Sequence, residues 1–386
     1  MTGDEKPQKK KRRLPGILFS LVSLAVLTYI AIMLISGQGL GFSWLTSLFS
    51  DRTPPEAVDE FYFDVGRNRV FADLGGPIAA AGTFGVQVIS ESGVEMLRDP
   101  FRMSSPAINS EAGRAVVFDI GGTAVRVFNE TQITTSLETG GSVVSASINR
   151  NGWFCVCTQE SGVFRSIVTV YDGGGREVYK VSLASGYALS ALLTSDNKRL
   201  AILDLTDDGS RITLYELSHD SAGAAFEIPG GLILDIRYLP GGEVLAVTQE
   251  SLIVIDAGGS GKEFYDFSGR RLGGYVLDGN FITLYLLDYG VGYNGRLVTL
   301  RENGKIIAER ITDSEIVSMS SSGRFLTVLR NDCLSSFDSE FNEFPTAGSS
   351  ISPVGATRIV TLANGAALAA GDRSAVVIRF ERSAGS

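Results

Sequence analysis

The sequence predicts an all-β fold built from many short strands, and three observations support that prediction. Glycine accounts for 45 of the 386 residues and proline for only 11, which indicates frequent turns without a disordered glycine/proline tract. No amphipathic helical pattern is found beyond residue 60. A unit of turn, strand and hairpins recurs about every 40 residues, the length of one propeller blade. These features predict a single β-propeller of four-stranded blades, eight by the number of repeats, with seven as the alternative.

The repeats are recognised by the small-residue turn before the longest strand of each unit. The tetrapeptide TQES occupies the same place in two units, at 158–161 and 248–251. The turn anchors are Gly113, Gly152, Asn197, Gly242, Gly279, Gly323 and Gly355, with a degenerate first copy near Gly76. One unit cannot bury both faces of its sheet, whereas blades stacked in a ring can, so residues 61–386 are predicted to form one propeller. Because unpaired edges would be exposed, we expect residues 61–66 or 69–74 to pair with the last strands near 375–380.

The first 60 residues have a different composition and predict a membrane anchor. Residues 1–13 carry six basic and two acidic side chains and form the predicted cytoplasmic tail. Residues 14–36 are uncharged, and their most apolar part would form about 28 Å of helix, enough to cross a ~30 Å hydrocarbon core. The positive-inside rule places the propeller outside the cytoplasm, with residues 37–60 as a juxtamembrane linker. A cleaved signal peptide is the alternative, although no A-x-A-like site follows the apolar run.

Charge and cysteine content exclude further classes of protein. The net charge is −9 although the basic tail is included, and an acidic body is a poor partner for nucleic-acid phosphates. Three cysteines do not form a disulfide framework. Cys155 and Cys157 lie two apart in a predicted strand, where we expect both to be small buried apolar residues on one face.

The basic run Lys9–Arg13, the single apolar segment and repeats such as "INRNGWFCVCTQESGVFRSIVTVYDGGGREVYKVS" together resemble a known family. It is an uncharacterised family of membrane-anchored, PQQ-like propellers from Gram-positive anaerobic bacteria. The resemblance covers nearly the whole chain and rests on architecture and repeat style rather than on a diagnostic motif. It implies a cell-envelope protein and assigns no functional residues.

The motif search predicts no catalytic residue, cofactor or metal site. The stretch "VVFDIGGTAVRVF" (116–128) looks like a phosphate loop of sugar kinases and actin-like ATPases, but similar turns recur at Asp172 and Asp256, which favours tight hairpins. The G-x-G-x-x-G match at 290–295 precedes a predicted strand, whereas a dinucleotide site requires a helix there. His219, the only histidine, lies in a predicted solvated loop.

Surface recognition is the remaining possibility, and five residues are candidates for it. The connections between blades share one face of a propeller with the hairpins between each blade's second and third strands. By the repeat register, this face carries "DPFRM" (99–103), "SGYA" (185–188), both TQES turns and "DYGVGYNG" (288–295). Phe101, Arg102, Tyr187, Tyr289 and Tyr293 have the character of binding anchors. The alternative is that these loop side chains pack on neighbouring blades.

The leading hypothesis is a non-enzymatic, membrane-anchored scaffold that binds an envelope protein or a cell-wall glycan. The second is a lyase or glycosidase with a carboxylate site in the central channel, which would show converging carboxyl groups with raised pKa values. A third is a sensor that signals through the span, for which a 13-residue tail leaves little room.

Overall fold

The computed structural model describes residues 58–219, 221–288, 292–331, 333–345, 355–371 and 375–380. The predicted tail and span, and the linker up to residue 57, lie outside the described residues. Within the described ranges, no helix combines the length and hydropathy that crossing a membrane requires.

The described chain forms eight four-stranded antiparallel sheets, so the predicted eight-bladed propeller is confirmed. Within each blade we label the strands A to D from the centre outward. Blade 1 contains β2 (Val70–Asp73), β3 (Ile78–Gly82), β4 (Gly85–Ile89) and β5 (Glu95–Pro100). Blade 2 contains β6 (Pro106–Glu111), β7 (Arg114–Asp119), β8 (Ala124–Asn129) and β9 (Ile133–Glu138). Blade 3 contains β10 (Ser142–Ile148), β11 (Phe154–Gln159), β12 (Ser166–Tyr171) and β13 (Glu177–Leu183). Blade 4 contains β14 (Tyr187–Leu193), β15 (Arg199–Thr206), β16 (Gly209–Glu216) and β17 (Ala222–Pro229).

The second half of the ring follows the same order. Blade 5 contains β18 (Ile233–Tyr238), β19 (Val244–Thr248), β20 (Ser251–Ile255) and β21 (Gly261–Asp266). Blade 6 contains β22 (Arg270–Val276), β23 (Ile282–Asp288), β24 (Gly295–Leu300) and β25 (Ile306–Thr312). Blade 7 contains β26 (Ile316–Ser322), β27 (Phe325–Arg330), β28 (Leu334–Phe337) and β29 (Glu343–Phe344). Blade 8 contains β30 (Arg358–Thr361), β31 (Ala367–Ala370), β32 (Ala375–Ile378) and β1 (Val58–Phe61).

The hydrophobic core lies between the blades rather than inside any one of them. The B strands are almost fully buried, as Val244–Thr248 shows, whereas the outermost strand Ala222–Pro229 alternates between exposed and half-buried residues. One cluster joins Cys155 and Cys157 of blade 3 to Leu200 of blade 4, which confirms that the two cysteines share a buried face. Each blade therefore depends on its neighbours to cover its sheet.

Closure of the ring differs in detail from the prediction. The strand that pairs with Ala375–Ile378 is Val58–Phe61, antiparallel, with Phe61 opposite Ala375. Of the predicted segment 61–66 only Phe61 belongs to this strand, and Val70–Asp73 is strand A of blade 1. The predicted region was correct near 375–380, but its partner lies slightly earlier in the chain because the next segment has to cross to the centre of the ring.

The turn anchors are the A–B hairpins in all but one blade. Gly152 and Asn197, for example, have φ of 81° and 60°, the left-handed region that such turns require. The anchor in the last repeat was wrong: Gly355 precedes strand A of blade 8, and Gly365, with φ of 90°, lies in its A–B hairpin.

Two faces of the ring are distinguished below. The upper face carries the connections between blades and the B–C hairpins, and the lower face carries the A–B and C–D hairpins. The turn after Asp119 is a B–C hairpin and therefore upper, whereas those after Asp172 and Asp256 are C–D hairpins and therefore lower. All three join adjacent strands of one blade, which confirms the hairpin interpretation of the apparent phosphate loop.

Candidate functional site

The five predicted recognition residues belong to upper-face segments wherever the structure describes them. Phe101 and Arg102 lie between β5 and β6, Tyr187 begins β14, and Tyr293 lies in the β23–β24 hairpin. Tyr289 lies outside the described residues. Blades 2 and 6 are opposite each other in an eight-membered ring, so Phe101 and Tyr293 share a face but not a patch.

Phe101 has a structural role. Its ring is half-buried and packs on the apolar cluster between blades 1 and 2. The Arg126 guanidinium lies over it at 4.7 Å from the ring centroid and is itself held near Asp99 at 3.8 Å and Glu138 at 3.6 Å. This is the packing alternative stated above, since the ring is covered by a neighbouring blade. Arg102, the next residue, is exposed.

Tyr187 and Tyr293 present more surface to solvent. Tyr187 is 41% exposed, and Arg165 of the neighbouring hairpin lies 5.4 Å from its ring centroid. Arg165 also pairs with Asp207 at 3.4 Å, so these contacts join the B–C hairpins of blades 3 and 4. Tyr293 is 47% exposed, and its carbonyl accepts a hydrogen bond from the Tyr285 hydroxyl at 3.4 Å.

Exposed apolar side chains are concentrated on the upper face. Among the described residues, fourteen large hydrophobic side chains are exposed, and eleven of them belong to upper-face segments. These eleven are Tyr62, Phe84, Ile120, Val163, Phe164, Tyr187, Leu189, Leu232, Leu234, Tyr293 and Val317. Only Val94 and Ile306 belong to the lower hairpins or the strand starts beside them. Isolated exposed apolar residues are ordinary, but such an asymmetry between two faces is typical of an interaction surface.

Part of this surface comes from a β-bulge that sequence reasoning missed. In blades 3 to 7, strand A has one extra residue relative to strand B. The extra residues are Val144, Leu189, Leu234, Gly273 and Val317. A bulge redirects the side chain that it carries, and three of the five are 38–43% exposed. We call this set the bulge arc, because it follows the upper end of five consecutive inner strands.

The sequence contains a signal for the bulge arc. In four of the five blades the extra residue is Val or Leu followed directly by Ser or Asp, as in Val144–Ser145 and Leu234–Asp235. Comparing the repeats at the inner strand, rather than at the turn, would have revealed it.

Two B strands carry buried carboxylates near the upper face, and one of them, Asp119, holds a connection between blades. Asp119 is 8% exposed and accepts hydrogen bonds from the backbone N–H groups of Ser104 and Ser105 at 2.8 and 2.6 Å. Asp204 is 1% exposed and forms a two-point contact with Arg211 at 2.7 and 3.2 Å. Burial raises the pKa of Asp204 despite the lowering effect of Arg211.

The central channel contains a cavity of 1390 Å³. It is lined by A strands of blades 2 to 8 and, at its lower end, by A–B hairpins. Asp235 lines it, and burial together with the nearby Asp278 charge raises the pKa of Asp235. Burial and the Asp235 charge raise the pKa of Tyr275, which hydrogen-bonds to Asp235, to about 12. The enzyme hypothesis requires several such carboxyl groups, and Asp235 is the one found among the cavity residues that the structure describes.

Other arrangements of reactive residues lack the geometry for catalysis. Ser218 and Glu216 both approach Nδ1 of His219, at 3.0 and 3.2 Å, whereas a catalytic triad uses the two ring nitrogens separately. The His219 side chain is 66% exposed, as predicted for a solvated loop. Burial raises the pKa of the Cys157 thiol to about 12, so it is not a reactive thiolate. Over the described ranges, no group of three or more His, Cys, Asp or Glu residues is arranged to hold a metal ion.

Comparison with known families identifies the family of this chain. A family model described as "Family of unknown function (DUF5711)" matches residues 60–338. The chain belongs to this family. No curated protein matches the DUF5711 chain significantly.

Solved structures agree with the propeller fold. The DUF5711 propeller is similar to the C-terminal WD40 domain of Sif2, with a TM-score of 0.59 and 13% identity over 86% of this chain and 99% of that one. It is also similar to BamB from Moraxella catarrhalis, with a TM-score of 0.53 and 13% identity over 84% of this chain and 99% of that one. At such identities the likeness concerns the fold alone.

Proposed function

We propose that this DUF5711 chain is a membrane-anchored, extracytoplasmic scaffold whose upper face docks another protein of the cell envelope. The observation that carries the proposal is the concentration of exposed apolar side chains on the upper face. Blades 3 to 5 contribute a stretch of this surface that includes Phe164, Tyr187, Leu189 and Leu234. Exposed aliphatic and aromatic groups suit the apolar centre of a protein interface, which favours a protein over a cell-wall glycan.

The rigidity of the face also supports the proposal. Its loops are held by the buried Asp119 carboxylate, by the Arg165–Tyr187 contact and by the ion pair between Arg165 and Asp207. A preordered surface loses little conformational entropy on binding, which favours affinity. Membrane attachment through residues 14–36 follows from the sequence pattern and the positive-inside rule.

Site-specific photocrosslinking tests the proposal. A benzophenone amino acid is introduced at Phe164 or, as a matched control, at Ile306, which is 48% exposed near the lower hairpins. Crosslinking is performed on membranes from cells that express the full-length chain. We expect a discrete crosslinked partner from position 164, lost when Leu189→Ser is added, and none from position 306. Equal crosslinking from both positions, or recovery of the chain only in the soluble fraction, would contradict the proposal.

A further inference from the structure

The central cavity is separate from the docking face. Its lining reaches upward only to Ser145, Ser190 and Asp235, which directly follow members of the bulge arc in sequence, and no member of the arc lines it. Its lower end lies among the A–B hairpins of blades 3 to 6. At 1390 Å³ it is larger than the roughly 300–1,000 Å³ of an ordinary ligand pocket.

Three of the seams between inner strands are closed by the same kind of contact. Strand A of each blade has an edge facing the channel, and small polar side chains of one blade pair with the backbone of the next. Asn109 donates to the Ala146 carbonyl at 2.6 Å, and Ser147 donates to the Ala191 carbonyl at 2.5 Å. At the seam of blades 7 and 8, Ser320 accepts from the Thr361 N–H at 2.8 Å.

The seam between blades 5 and 6 differs from these three because it has charged side chains at the corresponding positions. Counting from the bulge, the positions that hold Ser145 and Ser147 in blade 3 hold Asp235 and Arg237 in blade 5. Asp235 accepts from the N–H of Ile236, in its own strand, at 2.8 Å and contacts the Tyr275 hydroxyl across the seam.

Arg237 is the more unusual of the two substitutions. Its side chain lines the cavity, the residue is half-buried, and it has no hydrogen-bond or ion-pair partner among the residues that the structure describes. The next residue, Tyr238, packs on the cluster between blades 4 and 5, so it does not face this seam. A half-buried guanidinium without a protein partner is an anion-binding group that remains available at this seam.

Two carboxylates, those of Asp235 and Asp278, provide negative charge near the same seam. Asp278 lies in the A–B hairpin of blade 6, lines the same cavity and raises the free energy of ionised Asp235 by electrostatic repulsion. A positively charged group between the two would relieve that repulsion, whereas a neutral saccharide would not. The seam therefore contains complementary elements for both ends of a zwitterion.

We propose that the seam of blades 5 and 6 binds a small zwitterionic ligand of the amino-acid or short-peptide class. Arg237 receives the ligand carboxylate, and Asp235 and Asp278 receive the ammonium group. The Tyr275 hydroxyl, which hydrogen-bonds to Asp235, lies on the side of the site that receives the ammonium group. The cavity is large enough for several residues of a peptide.

Calorimetric titration of the full-length chain in detergent tests this proposal. The probes are L-alanine, tri-alanine, N-acetyl-tri-alanine, tri-alanine amide and, as a neutral sugar, chitotriose. We expect L-alanine or tri-alanine to bind, and capping either end of tri-alanine to weaken binding about tenfold or more, because each cap removes one charge-assisted contact. Arg237→Gln is expected to abolish the preference for tri-alanine over its amide, and Asp235→Asn to reduce the preference over the N-acetyl form.

The controls separate this proposal from a folding defect and from the docking function. Thermal unfolding of Arg237→Gln shows whether the variant is folded. Phe164→Ser, on the upper face, should leave tri-alanine binding unchanged whether or not the docking proposal holds. Absence of binding by both L-alanine and tri-alanine at about 5 mM, well above useful affinities, would overturn the zwitterion site. Equal binding of the capped peptides, or binding of chitotriose alone, would overturn it as well.

Discussion

At the residue scale, the ionised Asp235 carboxylate lowers the stability of the folded chain. Its carboxyl group has a raised pKa because it is buried and faces Asp278. Between the ordinary value of about 3.9 and the raised folded value, the folded chain binds more protons than the unfolded chain. Stability therefore falls as pH rises through this window, the opposite of a carboxylate stabilised by a salt bridge.

Replacing this carboxylate should remove that pH dependence. Asp235→Asn is expected to raise the unfolding midpoint at pH 7, and the gain should shrink as pH falls towards 4, because the wild-type group becomes protonated. Thermal melts of both chains over this pH range measure the difference. Asp208→Asn, which removes an exposed hairpin carboxylate, is the control for the loss of a negative charge as such. A gain that is constant with pH would show that the effect is not electrostatic.

Some features of single residues could be predicted from the sequence and others could not, depending on whether they are local. The shared buried face of Cys155 and Cys157 follows from a strand period of two, which is a local property. The covering of Phe101 by Arg126 depends on two segments 25 positions apart in sequence meeting across strands, which no local pattern specifies. The unpaired state of Arg237 depends on the identity of its neighbours across a seam and was not predicted for the same reason.

At the element scale, the turns that follow Asp119 and Asp256 are similar in sequence but differ in which backbone groups their carboxylates bind. Asp119 and Asp256 each accept two backbone N–H hydrogen bonds. Those to Asp119 come from the connection between blades 1 and 2, whereas those to Asp256 come from Gly258 and Ser260 within its own exposed hairpin. The bonds to Asp119 are part-buried, whereas those to Asp256 are exposed to water, which can replace them.

The cost of removing each carboxylate should differ accordingly. Asp119→Ala removes a buried charged acceptor that two part-buried backbone N–H groups share, and it is expected to lower the free energy of unfolding by about 2–3 kcal/mol. Asp256→Ala should cost about 1 kcal/mol or less, as for exposed caps. Urea unfolding of the two variants gives the comparison, and Asp119→Asn should recover part of the loss because its amide oxygen still accepts. Similar losses for both alanine variants would mean that burial does not distinguish the turns.

Blade period and hairpin positions were predictable because each hairpin is specified by its own turn residues. The upper-face segments were also placed correctly, since strand order within a blade fixes them. The bulge arc was missed because its Val/Leu–Ser/Asp signal is short and lies in strands that alignment by turns does not compare. The anchor at Gly355 was wrong because the last repeat contains two glycine turns in sequence, at 355 and 365, and only the second joins strands A and B.

At the scale of the whole molecule, the ring has one seam that cannot form until both ends of the propeller are present. Strand β1 completes blade 8, and Phe61 is 5% exposed in a cluster that joins blade 8 to Ile78 of blade 1. On the lower side, Asp73 accepts from the Ala363 N–H at 2.8 Å. Closure therefore adds long-range contacts between blades 8 and 1. Without them the ring is open and these two blades have uncovered faces. The stability of the other blades depends on closure for this reason.

Loss of this seam should weaken the entire propeller rather than one blade. Phe61→Ala is expected to cost about 3–4 kcal/mol, the range for a large buried aromatic, and to lower the midpoint of far-UV circular dichroism in one transition. The matched control is Tyr62→Ala, at the next position, where the side chain is 71% exposed. It should shift the midpoint little. If Phe61→Ala instead produces a separate early transition with the main midpoint unchanged, blade 8 unfolds alone and the closing seam does not couple the ring.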